Sequence, residues 1–244
     1  MFETLLVVDG EPVELERHLL RLRQSLDALY GAVPPPEARD ELIAAADGVP
    51  LGRLRLTVVP GKDRPRHDLR ADGVVPGAVF PARGAELRAH LAKGGHGSHK
   101  WVDRRGMERP DAGPGQLICD GNELLEAGWA NLFAVIEGTL RTPAADGRIL
   151  PGVARAAILD LALQLGVDSD EAPLTRADLL AAEETFLTNS IRGVEAAVSL
   201  DGAPLPGTGP TSRRLAAALA RSWRLPARAP AAPATASPAG QPVR

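Results

Sequence analysis

The sequence predicts an α/β protein of the α+β type built as two domains, and three observations lead there. Helix-like leucine spacing and strand-like alternation interleave along the chain, a glycine-rich run interrupts it near the middle, and strand signals thicken after that run. The expected division is a small N-terminal α/β domain over 1–92, a connection over 93–105, a large C-terminal α/β domain over 106–225, and a tail over 226–244.

The elements follow in order. Thr4-Leu5-Leu6-Val7-Val8, then Asp9-Gly10 and a second short stretch, reads as a hairpin closed by an Asp-Gly turn. Leu15, Leu19, Leu22, Leu26 and Leu29 recur at three- and four-residue spacing, predicting an amphipathic helix to Tyr30 that Gly31 stops. Pro34-Pro35-Pro36 precedes a second helix through Ala46. Over Leu51–Val59, Leu54, Leu56 and Val58 alternate with Arg53, Arg55 and Thr57, as in a half-buried strand. Residues 60–73 are polar and arginine-rich and read as an exposed loop; Val74–Phe80 reads as a weak edge strand because Pro76 and Gly77 interrupt it. Lys93–Lys100 reads as a solvated hinge. Beyond it, strands are expected at Leu117–Asp120, Leu124–Glu126, Asn131–Ile136, Leu140–Thr142, Thr185–Thr188 and Val194–Leu200. Helices are expected from Pro151 to Leu165, from a Thr175 cap to Ala182, and from Ser212 to Trp223. The Ala/Pro-rich tail after Leu225 lacks the apolar surface to order itself, so disorder is expected there.

Composition removes several classes of function. Of 244 residues 44% are apolar and 24% charged, with a net charge of −3 and 3% aromatics. That balance lacks the basic, aromatic-bearing surface of a nucleic-acid binder. Cys119 is the single cysteine, which excludes an intramolecular disulfide and multi-cysteine metal sites; its apolar surroundings predict a buried strand position. No apolar run has the length of a membrane span and no signal-type leader is present, so a cytoplasmic protein is expected. His96 and His99 lack an evident third ligand, so no metal is expected, and the glycine run lacks the glycine-lysine pair of a phosphate loop. Lysine occurs only as Lys62, Lys93 and Lys100, so amine chemistry has few candidates. Taken alone, Lys100 reads as a surface charge.

Its context changes that reading. Phe2-Glu3-Thr4 with Asp9-Gly10, His18-Leu19-Leu20-Arg21-Leu22, the run from Glu126 to Phe133, Thr142-Pro143, the run from Ile149 to Arg155, and Phe186-Leu187-Thr188-Asn189-Ser190 stand in one order through most of the chain. Together they resemble the class-IV aminotransferases, the fold-type-IV pyridoxal-phosphate enzymes. The resemblance implies a two-domain fold like that of D-amino-acid aminotransferase, pyridoxal 5'-phosphate as cofactor, a small amine or amino-acid-like substrate, and a homodimer. It implies that Lys100 forms the Schiff base with the cofactor and shuttles protons. Arg21 would grip the phosphate with paired hydrogen bonds. Glu126 would face the pyridine nitrogen and keep the ring an electron acceptor. Gly152, Val153 and Ala154 would offer helix-opening amides to the phosphate, and Ser190 a hydroxyl. Many relatives carry threonine where Ala154 stands. Relatives also carry a strand and a Gly-Asp-Gly turn before Phe-Glu-Thr, so the N-terminal portion reads as shortened, with an exposed sheet edge.

Two features lean toward one branch of that family. Arg105 stands five residues after the lysine, where the aminotransferases commonly have tyrosine, and Arg104 stands where the lyases often have arginine. Thr188-Asn189-Ser190 resembles the Asn-Ser pair of the lyases. The expected reaction is therefore conversion of 4-amino-4-deoxychorismate to 4-aminobenzoate and pyruvate. Arg104, Arg105, Asn189 and Arg192 are the candidates for holding the substrate. The alternatives are an aminotransferase for branched-chain or D-amino acids and a non-catalytic relative with a binding or regulatory role.

Overall fold

Asp9 and Gly10 both take positive φ, 49° and 81°, and this turns the chain from β1 (Phe2–Val8) straight back into β2 (Glu11–Pro12). The computed structural model describes residues 1–61, 65–103 and 107–225. The expected tail, Lys62, Arg104 and Arg105 fall outside the described residues.

α1 (Leu15–Tyr30) ends where Gly31 enters the left-handed region at φ 57° and returns its N–H to the Asp27 carbonyl. α2 (Ala38–Ala46) follows the prolines. β3 (Leu51–Val59) pairs antiparallel with β1 along its length, from Phe2 opposite Thr57 to Val8 opposite Leu51. β4 (Arg66–Gly73) adds the fourth strand, giving the order β2-β1-β3-β4. The loop expected over 60–73 is thus largely a strand. Its side chains are mostly exposed, so it shows no apolar alternation; its backbone pairing with β3 holds it. The edge strand expected over Val74–Phe80 is instead a 3₁₀ turn at Pro76–Ala78, with proline in its first turn. Leu22 and Leu26 of α1 and Leu42 of α2 bury against Leu5, Val7, Leu54 and Leu56.

The larger sheet takes in β5 (Ala85–Leu91), so the residues before 93 contribute to both sheets. β6 (Gly115–Asp120), β7 (Glu123–Ala127), β8 (Ala130–Ile136) and β9 (Thr139–Thr142) follow as a run of neighbouring strands. α3 (Val153–Leu165) leads to β10 (Ser169–Glu171), β11 (Leu174–Thr175) and α4 (Arg176–Ala181), whose cap is Thr175 in a capping box with Asp178. β12 (Glu184–Asn189), β13 (Gly193–Leu200), β14 (Ala203–Pro204) and α5 (Pro210–Ser222) complete the described chain.

β8 pairs with β12 on one side and with β7 on the other, which closes β8-β12-β13-β5-β6-β7 into a ring. Alternation then decides each side chain's destination. Leu132, Leu187, Leu117 and Ala197 gather in one core, while Phe133, Val135 and Phe186 join Ile158 of α3 and Leu215 and Leu219 of α5 in another. Phe133 and Phe186 stack with centroids 5.1 Å apart. Leu6 and Val8 of the small sheet enter this second core, so the two sheets share apolar packing. Cys119 is buried on β6, as expected, and burial pushes its thiol pKa up.

The glycine run is no solvated hinge. From Gly95 to Lys100 it is half-buried, and the amides of His96 and Gly97 both donate to the Arg148 carbonyl. Gly95 has φ 68°, and a Cβ there would come 2.1 Å from the Arg148 oxygen. We expect Gly95→Ala to cost about 2 kcal/mol, because strain and displacement of the strap add. Urea unfolding of both proteins checks it; an unchanged midpoint refutes it.

Candidate active site

A cleft of about 470 Å³ opens where β1, α1, the end of the glycine strap, the start of α3 and the β12–β13 turn converge. It is lined by Arg21, Lys100 and Glu126, by Gly152, Val153 and Ala154, and by Asn189, Ser190 and Arg192. Every candidate residue that the structure describes therefore faces one cavity; Arg104 and Arg105 lie outside the described residues.

Arg21 is held rigidly. Its Nε and Nη2 donate to the two carboxylate oxygens of Glu3 at 2.9 and 2.5 Å, and Nη1 donates to the Pro151 carbonyl at 3.1 Å. This happens because β1 and α1 pack face to face, setting Glu3 under the helical face that carries both His18 and Arg21, three residues apart. Burial works to raise the Glu3 pKa, but the Arg21 charge and the His18 and Arg21 hydrogen bonds outweigh it and bring it to about 2. Burial lowers the His18 pKa; its Nδ1, 2.7 Å from Glu3, donates as the neutral ring's N–H. The contact with Pro151 brings the guanidinium beside the residue preceding the N-cap of α3.

That helix start is open. Gly152 is the N-cap and no side chain caps α3, so the first-turn amides of Val153 and Ala154, both cleft-lining residues, are available to an anion. A Cβ on Gly152 would meet Asn131 Oδ1 at 1.9 Å, so the backbone can lie this close only as glycine. Asn131 in turn donates to Glu126 Oε2 at 3.2 Å and to the Leu150 carbonyl at 2.9 Å. The Leu150 amide donates to the Glu126 carboxylate at 3.2 Å. Glu126, 3% exposed, is thereby oriented by its own β-strand neighbour and by the approach to α3.

Lys100 sits at the mouth of the strap. Its carbonyl accepts from the Phe2 amide, which ties it to β1, and its Nζ lies 5.0 Å from the centroid of the Phe2 ring. Arg55 stacks on the same ring at 3.9 Å. Thr188, on β12, is 1% exposed, lines the cleft, and its hydroxyl has no hydrogen-bond partner among the described residues. Among the described residues no three His, Cys, Asp or Glu side chains gather as a metal set would. His99 bonds Ser25 instead, at 3.0 Å.

At the β12–β13 turn, Asn189 Oδ1 accepts the amides of Ile191 and Arg192, so this side chain shapes the turn that presents Arg192. Arg192 and Arg109 both bond the carboxylate of Glu195. Sequence reasoning gave no role to Glu3, Thr188, Arg109 or Glu195. Glu3 and Thr188 each stood in a quoted motif. Arg109 and Glu195 are 86 residues apart, and only the folded ring brings them together.

The family model described as "Amino-transferase class IV" matches residues 1–79 and 107–200, more than half of the chain. A branched-chain-amino-acid aminotransferase of Arabidopsis thaliana is 38% identical over 80 residues, which are 33% of this chain and 21% of that relative. The matched stretch thus spans about a fifth of that relative's length. Among solved structures, the 4-amino-4-deoxychorismate lyase of Pseudomonas aeruginosa is 28% identical with a TM-score of 0.75, covering 91% of this chain and 90% of its own. The pyridoxal-phosphate-bound form of a hypothetical aminotransferase from Mycobacterium tuberculosis has a TM-score of 0.78 at 24% identity, covering 91% of this chain and 88% of its own. The fold is therefore that of the fold-type-IV enzymes.

Proposed function

The chain belongs to the amino-transferase class IV family, whose members are pyridoxal-phosphate enzymes acting on amino-acid-like amines, and from that premise we propose that it is the lyase that turns 4-amino-4-deoxychorismate into 4-aminobenzoate and pyruvate. The observation that carries this reading is the likeness to the Pseudomonas lyase along 91% of the chain, at higher identity than the Mycobacterium aminotransferase.

The residues present fit the cofactor. Two donors for a phosphate, Arg21 and the uncapped start of α3, stand together; a buried carboxylate, Glu126, is held for a protonated ring nitrogen; and the orphaned Thr188 hydroxyl faces the same space. When bound, pyridoxal phosphate supplies an electron sink for negative charge on the amine-bearing carbon. Lys100 Nζ takes the proton from that carbon. Loss of the enolpyruvyl oxygen from the neighbouring carbon then makes the ring aromatic, and Lys100 returns the proton to the methylene carbon of the departing enol, which becomes pyruvate. Atoms balance without water or a co-reactant. Arg21 anchors the phosphate, to which Ser190 offers a hydroxyl, Glu126 holds the ring's charge, and Arg192 orients the substrate.

An aminotransferase reading is favoured by the branched-chain relative at 38% identity, although that likeness covers a third of the chain. Purified holoenzyme given 4-amino-4-deoxychorismate is expected to release 4-aminobenzoate and pyruvate in equal amounts. No aminobenzoate, together with turnover of an amino acid and 2-oxoglutarate, refutes the lyase and establishes the aminotransferase.

A further inference from the structure

Glu195 on β13 is 2% exposed, yet its carboxylate serves two guanidiniums. Arg192 donates from Nε to Oε2 at 2.8 Å and from Nη2 to Oε1 at 3.0 Å, and Arg109 donates from Nε to Oε1 at 2.9 Å. The Trp129 indole adds a longer bond at 3.5 Å. One arginine would suffice to neutralise a buried carboxylate. A second, always charged, leaves an excess of positive charge in a partly buried place, which is costly unless an anion arrives there. Both guanidiniums line the cleft that holds Lys100, and their side chains are only 26% and 20% exposed. Among the described residues, Arg192 Nη1 and Arg109 Nη2 have no partner, so each keeps donors to offer.

We propose that Arg109 and Arg192 form a fork that receives a carboxylate the substrate carries away from its reacting amine, and that Glu195 is the positioning residue setting both prongs. The inference rests on the reading of the cleft as a pyridoxal-phosphate lyase site and names its substrate class: an amine with a remote carboxylate. The cyclic amine of that reaction carries two such groups, one on the ring and one on the enolpyruvyl arm, and the fork binds one of them. Two planar donors, one from the segment leading into β6 and one from the β12–β13 turn, hold a carboxylate in one orientation, which a single lysine would not.

The test uses holoenzyme and two unreactive probes. Chorismate keeps both carboxylates with a hydroxyl in place of the amine; 4-aminobenzoate keeps the ring carboxylate alone. Binding is read from the change in cofactor absorbance. Arg109→Gln and Arg192→Gln are each expected to weaken chorismate about tenfold, as removal of one charge-assisted pair does. They should raise KM for the lyase substrate by a similar factor, more than they lower kcat. Glu195→Gln is expected to act in the same direction with the cofactor spectrum retained, and Glu195→Asp to regain part of the affinity. Weakened binding of both probes assigns the ring carboxylate to the fork; weakened binding of chorismate alone assigns the enolpyruvyl one. Unchanged affinity for both probes in the two arginine variants overturns the proposal while leaving the lyase intact. Wild-type holoenzyme that releases no aminobenzoate overturns the lyase reading and the fork with it, and the wild type alone reveals that failure.

Discussion

Lys100→Ala is expected to lower kcat/KM by at least about a thousandfold while leaving the fold in place. The magnitude follows from the role proposed for the amine: it both takes and returns the proton, and loss of one such group costs about 10²–10⁴ in rate. Stability should hardly change, because Lys100 is half-buried at the cleft and the strap that carries it is fixed by backbone hydrogen bonds from His96, Gly97 and Phe2. Lys93, the other lysine among the described residues, cannot substitute: it is exposed at the start of the strap and lines no part of this cleft. Borohydride treatment of wild-type holoenzyme should fix the cofactor to the peptide containing Lys100, and no adduct should form in the variant. A Lys100→Ala protein that keeps a tenth of wild-type activity, or a borohydride adduct on another residue, would remove Lys100 from the chemistry.

The second large effect concerns stability and its pH dependence. Glu3→Gln leaves Arg21 buried against a neutral amide, and breaking such a pair from one side costs about 3–5 kcal/mol. The sign of the pH term follows from the Glu3 pKa, about 2 in the fold against an ordinary 4.5. Between those values the unfolded chain binds a proton that the folded chain refuses, so acid favours unfolding. The ion pair's contribution is complete above pH 4.5 and is lost as pH falls through about 2; a shift of this size corresponds to about 3 kcal/mol. Urea midpoints of wild type and variant should therefore lie far apart at pH 6 and converge toward pH 2. A gap that stays constant over that range would show that the carboxylate's charge contributes nothing. The variant should also bind pyridoxal phosphate more weakly, because Glu3 fixes the guanidinium proposed to hold the phosphate.

Much of the architecture was legible where a segment buries one face of its own. The leucines of α1 and the alternation of β3 mark those elements from end to end because half of each goes into the small-sheet core. β4 was not legible, since its burial is slight and its order comes from pairing with β3. β5 was missed for a related reason: Ala85 and Leu87 alone reach the core, and its place between β13 and β6, parallel to both, is set by distant strands. The same contrast holds in the cleft. Arg21 and Glu126 each stand within a short run of matching neighbours, and the order of those runs, in a chain with three lysines, pointed to Lys100. Nothing local marked Glu195, because a carboxylate on a strand gains its meaning from arginines that arrive by other routes.

The ring of strands has a clasp. β7 and β8 meet through only two residue pairs, Glu126 opposite Asn131 and Ala127 opposite Ala130, around the tight turn at Gly128 and Trp129. The main chain of Met107 lies on that turn, 2.6 Å from where a Gly128 Cβ would be. The carboxylate proposed to govern the cofactor's electronics is therefore one half of the buckle that shuts the hoop. Any fluctuation that unfastens the hoop dismantles the cofactor seat in the same movement, and any molecule that grips Glu126 also fastens the hoop. Structural integrity of the larger sheet and occupancy of its cleft thus become two readings of a single equilibrium.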